Sequence, residues 1–413
     1  MEAFDSYLNE LVNQNRAAFS AWPNLKWLNF YQADKAQKER DRFTEQINSW
    51  LFKETKPFHH QISEGCKICG SGHWSCLFIT GKCNANCFYC PAPQLTDDVP
   101  TTQNLKFETA EAYAEYINFL RFKGVSFSGG EPLLFFDRTL QYLKQIRERC
   151  SPEIYTWMYT NGILAEEQKF RKLADAVLNE VRFDIGATGF KLDKIGFAKG
   201  IIPNITIEIP AVPEEKEKLK KMLPEMIKAG VSNLNLHQLR LTKHNAEKLA
   251  KRNYTFIPAE QPIVLESELA ALDILNFARE NQLKIGINYC SFFFKNRFQK
   301  AGFRKQVATA LLNPGETITE KGFIRELDEK GIGYKTILFS DEKTKQQNQT
   351  ELKLSHKTFY FSRETALKKF VFNGEQKSGL KKILQEEPAK IPDDPFLFAV
   401  WQKEYIEKGL RDY

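Results

Sequence analysis

Hydrophobic positions change their period along this chain, and each change marks a boundary between kinds of structure. Up to about residue 60, "FDSYLNELV" and "RDRFTEQINSWLF" repeat apolar residues every three or four positions, which lines one face of a helix. From Ser75 the pattern alternates. Short β-branched or aromatic runs come first: "CLFIT" (76–80), "GVSFS" (124–128), "IYTWMYT" (154–160), "VRFDIG" (181–186), "NITIEI" (204–209), "VSNLNL" (231–236) and "LKIGINY" (283–289). Between them lie stretches of helical period such as "ETAEAYAEYINFLRFK", "RTLQYLKQIRER", "AEEQKFRKLADAVLN", "EEKEKLKKMLPEMIKA" and "ESELAALDILNFAREN". Alternation repeated this often predicts an α/β fold with a parallel sheet and helical crossovers, either barrel-like or doubly wound. In both forms ligands gather at the carboxyl ends of the strands.

The rhythm is lost after Cys290. Residues 291–413 mix "SFFFKNRFQKAGFRK" (291–305), strand-like "KTILF" and "KTFYFS", and the polar run "SDEKTKQQNQTELK" (340–353). Three regions result: an N-terminal helical extension over 1–65, the alternating body over 66–290, and an appended C-terminal region over 291–413.

Composition narrows the class only a little. With 42% apolar residues the 413-residue chain can bury a large core, yet it has no run near the ~20 apolar residues of a membrane-spanning helix. The opening "MEAFDSYLNELVNQNR" lacks the apolar stretch of a secretory signal, so a cytoplasmic protein is expected. A net charge of +7 permits an acidic or nucleic-acid partner without requiring one. Six of the eight cysteines fall between Cys66 and Cys90, which is the crowding expected of metal binding rather than of a disulfide scaffold.

The sharpest feature is "GKCNANCFYC", Gly81 to Cys90, directly after the first predicted strand. Cys83, Cys87 and Cys90 form a C-x3-C-x2-C loop in which glycine and two asparagines ease tight turning. A structural zinc site would be one ligand short. A four-iron cluster held by three thiolates keeps one iron open for a substrate or cofactor, the logic that leaves catalytic metals a free position. Tyr89 sets an aromatic face beside that opening.

This spacing, with an aromatic before the third cysteine, resembles the signature of radical S-adenosylmethionine (SAM) enzymes. The resemblance implies a partial (β/α)6 TIM-like barrel and a [4Fe-4S] cluster on Cys83, Cys87 and Cys90. The open iron would bind SAM, and an electron from a flavodoxin- or ferredoxin-type donor would cleave it to a 5′-deoxyadenosyl radical that abstracts hydrogen from substrate. "SGGEP", Ser128, Gly129, Gly130, Glu131 and Pro132, ends the second strand and resembles the family's glycine-rich motif. There the backbone approaches the methionine part and Glu131 can take its ammonium. "YTNG" (159–162) resembles the ribose-side segment, which would give Asn161 that contact. "ITIEIPAVP" and "LNLHQL" resemble the fifth and sixth strands of pyruvate formate-lyase activating enzyme, which assigns Glu208 and His237 to the adenine and substrate side. Activating enzymes carry a lysine just after the fourth-strand aspartate. Here "FDIGAT" keeps Asp184 without it.

A second cysteine group, "CKICGSGHWSC", opens with the C-x2-C-G knuckle of Cys66 and Cys69, a form used for zinc and for iron–sulfur sites. His73 or Cys76 is a candidate third ligand and Cys290 a fourth. A parallel seventh strand would hold Cys290 at the rim, a strand length from Cys76. Cys150 reads as structural. The order of knuckle, loop and "NYCSFFFK" also resembles uncharacterised archaeal and bacterial radical SAM proteins.

Likeness to activating enzymes favours a peptide or protein substrate. RNA is the alternative, because residues 291–305 interleave phenylalanines with Lys295, Arg297, Lys300, Arg304 and Lys305, which can stack bases and neutralise phosphates. The plainer reading of that segment is an amphipathic helix with a basic solvent face. A non-catalytic iron–sulfur electron carrier is the alternative of another class, and the SGGEP segment argues against it.

Overall fold

Seven strands run parallel, each paired with its neighbour in sequence: β1 (Trp74–Thr80), β2 (Gly124–Gly129), β3 (Tyr155–Thr160), β4 (Glu180–Phe183), β5 (Asn204–Pro210), β6 (Asn233–His237) and β7 (Gly286–Cys290). The computed structural model describes residues 2–329, 331–343, 349–385 and 391–405. A doubly wound sheet reverses its strand order at a switch point, whereas this order never reverses. The predicted six-strand partial barrel is therefore present and is continued by a seventh parallel strand. At its ends β1 pairs antiparallel with Thr101–Thr102 and β7 with Lys56–His59, so the barrel stays open.

Period two in the strands divides the barrel into two environments. Leu77, Ile79, Val125, Phe127, Val181, Phe183, Ile207, Leu234, Leu236 and Ile287 face out and are almost fully buried. They pack against the helices α1 (Ala110–Phe119), α2 (Phe136–Arg149), α3 (Glu167–Asp175), α4 (Lys216–Lys228) and α5 (Leu265–Glu280). Each such side chain contributes on the order of 1.5–3 kcal/mol on leaving water. The alternate positions face the lumen, and on β4 to β7 many of them, among them Glu180, Arg182, Glu208, Asn235 and Asn288, are polar. Between β4 and β5 two 3-10 turns, Ile185–Thr188 and Asp193–Phe197, replace a crossover helix.

The flanking regions differ from the sequence expectation. Residues 1–65 are not wholly helical: besides helices Glu2–Ala18 and Asp34–Thr44 they supply the strand Lys56–His59 that edges β7. The alternation of "KPFH" is too short for sequence patterning to separate from a turn. A helix, Glu64–Gly70, then enters the lumen. Gly65 makes this fit possible, since a Cβ there would meet Arg182 Nη2 at 2.4 Å and Glu180 Oε2 at 2.9 Å.

The C-terminal region forms an antiparallel five-stranded sheet, with Thr358–Phe370 between Gly331–Ser340 and Gln349–Lys353. Phe359 seats it against Phe107 and against Tyr116 of α1. Part of the polar run 340–353, and the end of the C-terminal region (406–413), lie outside the described residues. Tyr7 of the first helix packs on Phe398 of the helix Pro395–Glu404, which joins the two ends of the chain.

Candidate active site

The carboxyl ends of the parallel strands open into a cavity of about 560 Å³. Its lining takes in Cys83, Cys87 and Cys90, then Tyr89, Ser128, Gly129, Gly130, Asn161, Glu208 and His237. Residues spread over some 150 positions of sequence (83 to 237) thus meet on one surface.

The cysteine loop leaves β1 and is stitched to the end of β2. The Gly130 N–H donates to Thr80 O at 2.7 Å and the Glu131 N–H to Lys82 O at 2.9 Å. Gly129 has a φ of +112°, and a Cβ on Gly130 would stand 2.0 Å from Lys82 O. The glycine pair is therefore required by the close passage of the cysteine loop. The sulfurs accept N–H donors: Ala85 N to Cys83 Sγ at 3.4 Å and Gln94 Nε2 to Cys90 Sγ at 2.9 Å. Burial pushes the Cys87 thiol up to about 11, with the Asp184 charge adding to it, so a metal must displace the proton for this sulfur to ligate at neutral pH. Three sulfur donors on one short loop, two of them accepting N–H groups, fit a [4Fe-4S] cluster.

Two residues of the glycine-rich motif take a different place from the one expected. Glu131 is buried beneath the cavity, and its carboxylate accepts from Leu133 N (2.9 Å), Thr160 Oγ1 (2.8 Å) and Asn161 N (2.7 Å). It ties β2 to β3, and it is not among the residues that line the cavity. Pro132 is buried beside it, opening a 3-10 turn. Asn161 reaches the cysteine loop itself, donating to Asn84 Oδ1 at 2.7 Å.

Asp184, which lacks the following lysine, has Tyr89 as its partner. The Tyr89 hydroxyl donates to both carboxylate oxygens, at 2.8 and 3.0 Å. Burial pushes Asp184 up to about 6. At Gly186 a Cβ would stand 2.4 Å from the Tyr89 hydroxyl, so this glycine leaves room for the phenol.

Deeper in the lumen lies a charged array that sequence reading missed. Arg182 is 2% exposed and pairs with Glu180, which has no exposed surface, and with Glu208; Nε to Glu180 Oε1 is 2.9 Å and Nη1 to Glu208 Oε2 is 2.6 Å. Its guanidinium lies 4.9 Å from the Trp157 ring centroid. The signal was available in "NEVRF", where charges at inward positions alternate with Val181 and Phe183.

Burial would raise Glu208, but Arg182 and His237 hold it below the carboxylate range. His237 Nε2 bonds Glu208 Oε1, and its Nδ1 lies 2.9 Å from Lys295 Nζ. A doubly protonated ring would point an N–H at an ammonium, so the ring is neutral, with Nε2–H donating to Glu208 and Nδ1 accepting from Lys295. Burial and Lys295 lower His237 to about 4. Because the folded value lies below that of the unfolded chain, this group's contribution to stability falls as pH drops from about 6.5 toward 4. Histidine NMR of the metal-free protein should show His237 as the Nε2–H tautomer down to about pH 4; a midpoint near 6.5 would contradict this arrangement.

The second cysteine group divides. Cys66, Cys69 and Cys290 line the same cavity. Cys76 faces the Ser126 and Ser128 hydroxyls, and His73 bonds Ser71 Oγ at 3.1 Å. Cys150 Sγ donates to Ala114 O at 3.6 Å, a structural contact.

The basic-aromatic segment 291–305 follows the amphipathic expectation only in part. Phe292 and Phe294 are buried, Arg297 is 8% exposed, and Lys295 points into the lumen. Lys300 stands exposed where the cavity meets a second pocket. The helix closes the barrel from β7 toward β1, with a Gly302 Cβ position only 2.2 Å from Ser71 O. The helix has a basic solvent edge at Lys300 and Lys305, while Lys295 and Arg297 on its other side are turned inward.

Residues 77–200 match the Radical SAM superfamily, so the chain carries a radical SAM domain and is an enzyme of that class, which works with a [4Fe-4S] cluster and SAM. The chain is also similar to curated proteins with more particular names. It is 29% identical over 276 residues to a Methanocaldococcus jannaschii protein provisionally named a glycyl-radical enzyme activating enzyme, covering 64% of this chain and 72% of that one. A Haemophilus influenzae protein of the same provisional name is 28% identical over 219 residues, with 47% and 77% covered. Among solved structures, anSMEcpe with bound AdoMet and a Cp18Cys peptide is 16% identical over 38% of this chain and 48% of that one, with a TM-score of 0.30. Streptococcus suis SuiB bound to its precursor peptide SuiA is 11% identical over 77% and 71%, with a TM-score of 0.38. Among the described residues no helix is long and apolar enough to cross a membrane.

Proposed function

We propose that Cys83, Cys87 and Cys90 hold the [4Fe-4S] cluster and that SAM binds above it in the barrel lumen. One observation carries this reading: the three cysteines, the Ser128–Gly130 backbone and Asn161 line a single cavity. When bound, cluster and SAM supply a hydrogen-abstracting radical, given an electron from a flavodoxin- or ferredoxin-type protein. The chain's own residues position and enclose. Gly129 and Gly130 offer an unobstructed backbone to the methionine part, and Tyr89, braced on Asp184, fixes the loop and one wall. Phe78 is 52% exposed on the lumen side of β1 and offers an aromatic face to the adenine. The helix over 292–310 and the N-terminal helix Glu64–Gly70 shut the lumen against solvent, which confines a radical to the substrate and limits side reactions.

Arg240 takes the part of the missing lysine. It lies at the cavity wall, bonded to Gln261 Oε1 at 2.8 Å, and within electrostatic reach of Cys90, which supports its pairing with a carboxylate bound near that sulfur.

A peptide or protein segment is the favoured substrate, since the curated relatives are named for activating other enzymes. The RNA reading loses its support, because several of the basic residues that motivated it face inward. Anaerobic reconstitution with dithionite and SAM tests the proposal. Release of 5′-deoxyadenosine is expected; a reduced cluster that leaves SAM intact would support an electron carrier instead.

A further inference from the structure

Three sulfurs outside the radical SAM loop line the same cavity, and each accepts an N–H from a different side chain. Cys66 and Cys69 lie three positions apart on one face of the helix Glu64–Gly70, and Cys290 ends β7. Asn235 Nδ2 donates to Cys66 Sγ at 3.1 Å, Gln299 Nε2 to Cys69 Sγ at 2.6 Å, and Lys56 Nζ to Cys290 Sγ at 2.6 Å. A protonated thiol is a weak acceptor, whereas a thiolate bound to metal is a strong one. Three separate donors aimed at three sulfurs are the outer support of a thiolate metal centre.

Charge points the same way. Lys56 has no exposed surface, and its Nζ stands 2.6 Å from Cys290 Sγ and 4.5 Å from the Phe294 ring centroid. A buried ammonium needs an anionic partner. A cluster bound by thiolates carries net negative charge and supplies it. Three thiolates suit a four-iron cluster with one iron left open.

We propose that Cys66, Cys69 and Cys290 hold a second iron–sulfur cluster, facing the SAM site across the lumen, with Lys56, Asn235 and Gln299 bonded to its sulfur ligands. Cys76 and His73 are not ligands. Substrate would lie between the two centres, within reach of the second cluster's remaining iron.

The test separates this cluster from the first. The variant Cys83→Ala/Cys87→Ala/Cys90→Ala, reconstituted anaerobically with iron and sulfide, should retain about half the iron and sulfide of the wild type, as one of two clusters. Adding Cys290→Ala should remove the rest, whereas adding Cys76→Ala should not. An iron-free triple variant, zinc in place of iron, or a Cys66–Cys69 disulfide found by mass spectrometry would each overturn the proposal. If the triple variant does not fold, the single Cys290→Ala variant decides. It should lose about half the iron while keeping the spectral change that SAM induces in the other cluster, and an unchanged iron content would overturn the proposal. Failure of SAM cleavage would count against the first site alone, since these iron measurements do not depend on it.

Discussion

Replacing Arg182 by methionine is expected to destabilise the protein by about 3–5 kcal/mol, the cost of breaking a buried ion network from one side. Glu180 has no exposed surface and Glu208 has an 8% exposed side chain, so neither carboxylate can turn to water for compensation. Against a total stability of roughly 5–15 kcal/mol this is a large fraction. It would appear as a lower denaturant midpoint, and Glu208 would lose its hold on His237. The sign of the pH dependence identifies the cause. Without Arg182 the burial of Glu208 is no longer offset and its folded-state value rises, so the folded variant takes up protons and gains relative stability as pH falls. The deficit against wild type should therefore shrink from pH 8 to pH 5. Adding Glu180→Gln and Glu208→Gln should restore part of the loss at neutral pH. A deficit that is small and independent of pH would mean that packing against Trp157, rather than charge, is the main role of Arg182.

The barrel and its cysteine loop were legible because both are written in local pattern. Seven alternating runs became seven parallel strands, and a loop of eight residues carries its three sulfurs without help from distant segments. Features built across the sequence were harder to read. Arg182, Glu208, His237 and Lys295 form one hydrogen-bonded line, yet nothing local in "VRFDIG" or "FFFKNRF" announces that those strands and that helix meet. The 291–305 segment misled for a related reason: a basic, aromatic helix suggests solvent for all its cations, and here the barrel mouth takes in Lys295 and Arg297 while Lys300 and Lys305 reach solvent. Glu131 misled because its motif suggests a ligand contact, while its oxygens are already occupied by the β3 backbone and Thr160. For the knuckle, topology was decisive. A parallel β7 carries Cys290 to the rim, and a helix entering the lumen brings Cys66 and Cys69 to meet it, leaving Cys76 on another wall.

The second large effect is expected from Gly130→Ala. One methyl group is added, but its position stands 2.0 Å from Lys82 O and 2.4 Å from Lys82 C. Both atoms are backbone, so no side chain can swing aside. Lys82 precedes Cys83, and its carbonyl already accepts the Glu131 N–H, so the methyl must push the cysteine loop away from the end of β2. Overpacking of this kind costs about 1–3 kcal/mol. Taken from the arrangement of the loop, that is about a ten- to hundredfold weaker SAM affinity, with loss of cluster during reconstitution. Iron content and the SAM-induced change in the reduced cluster's spectrum would measure both. Global stability should change less than in the Arg182 variant, because the loop lies at the rim and the helix-packed core lies behind the strands. If Gly130→Ala bound cluster and SAM as the wild type does, the loop would have room that this packing denies it, and the glycine pair would not be what fixes Cys83 against the second strand.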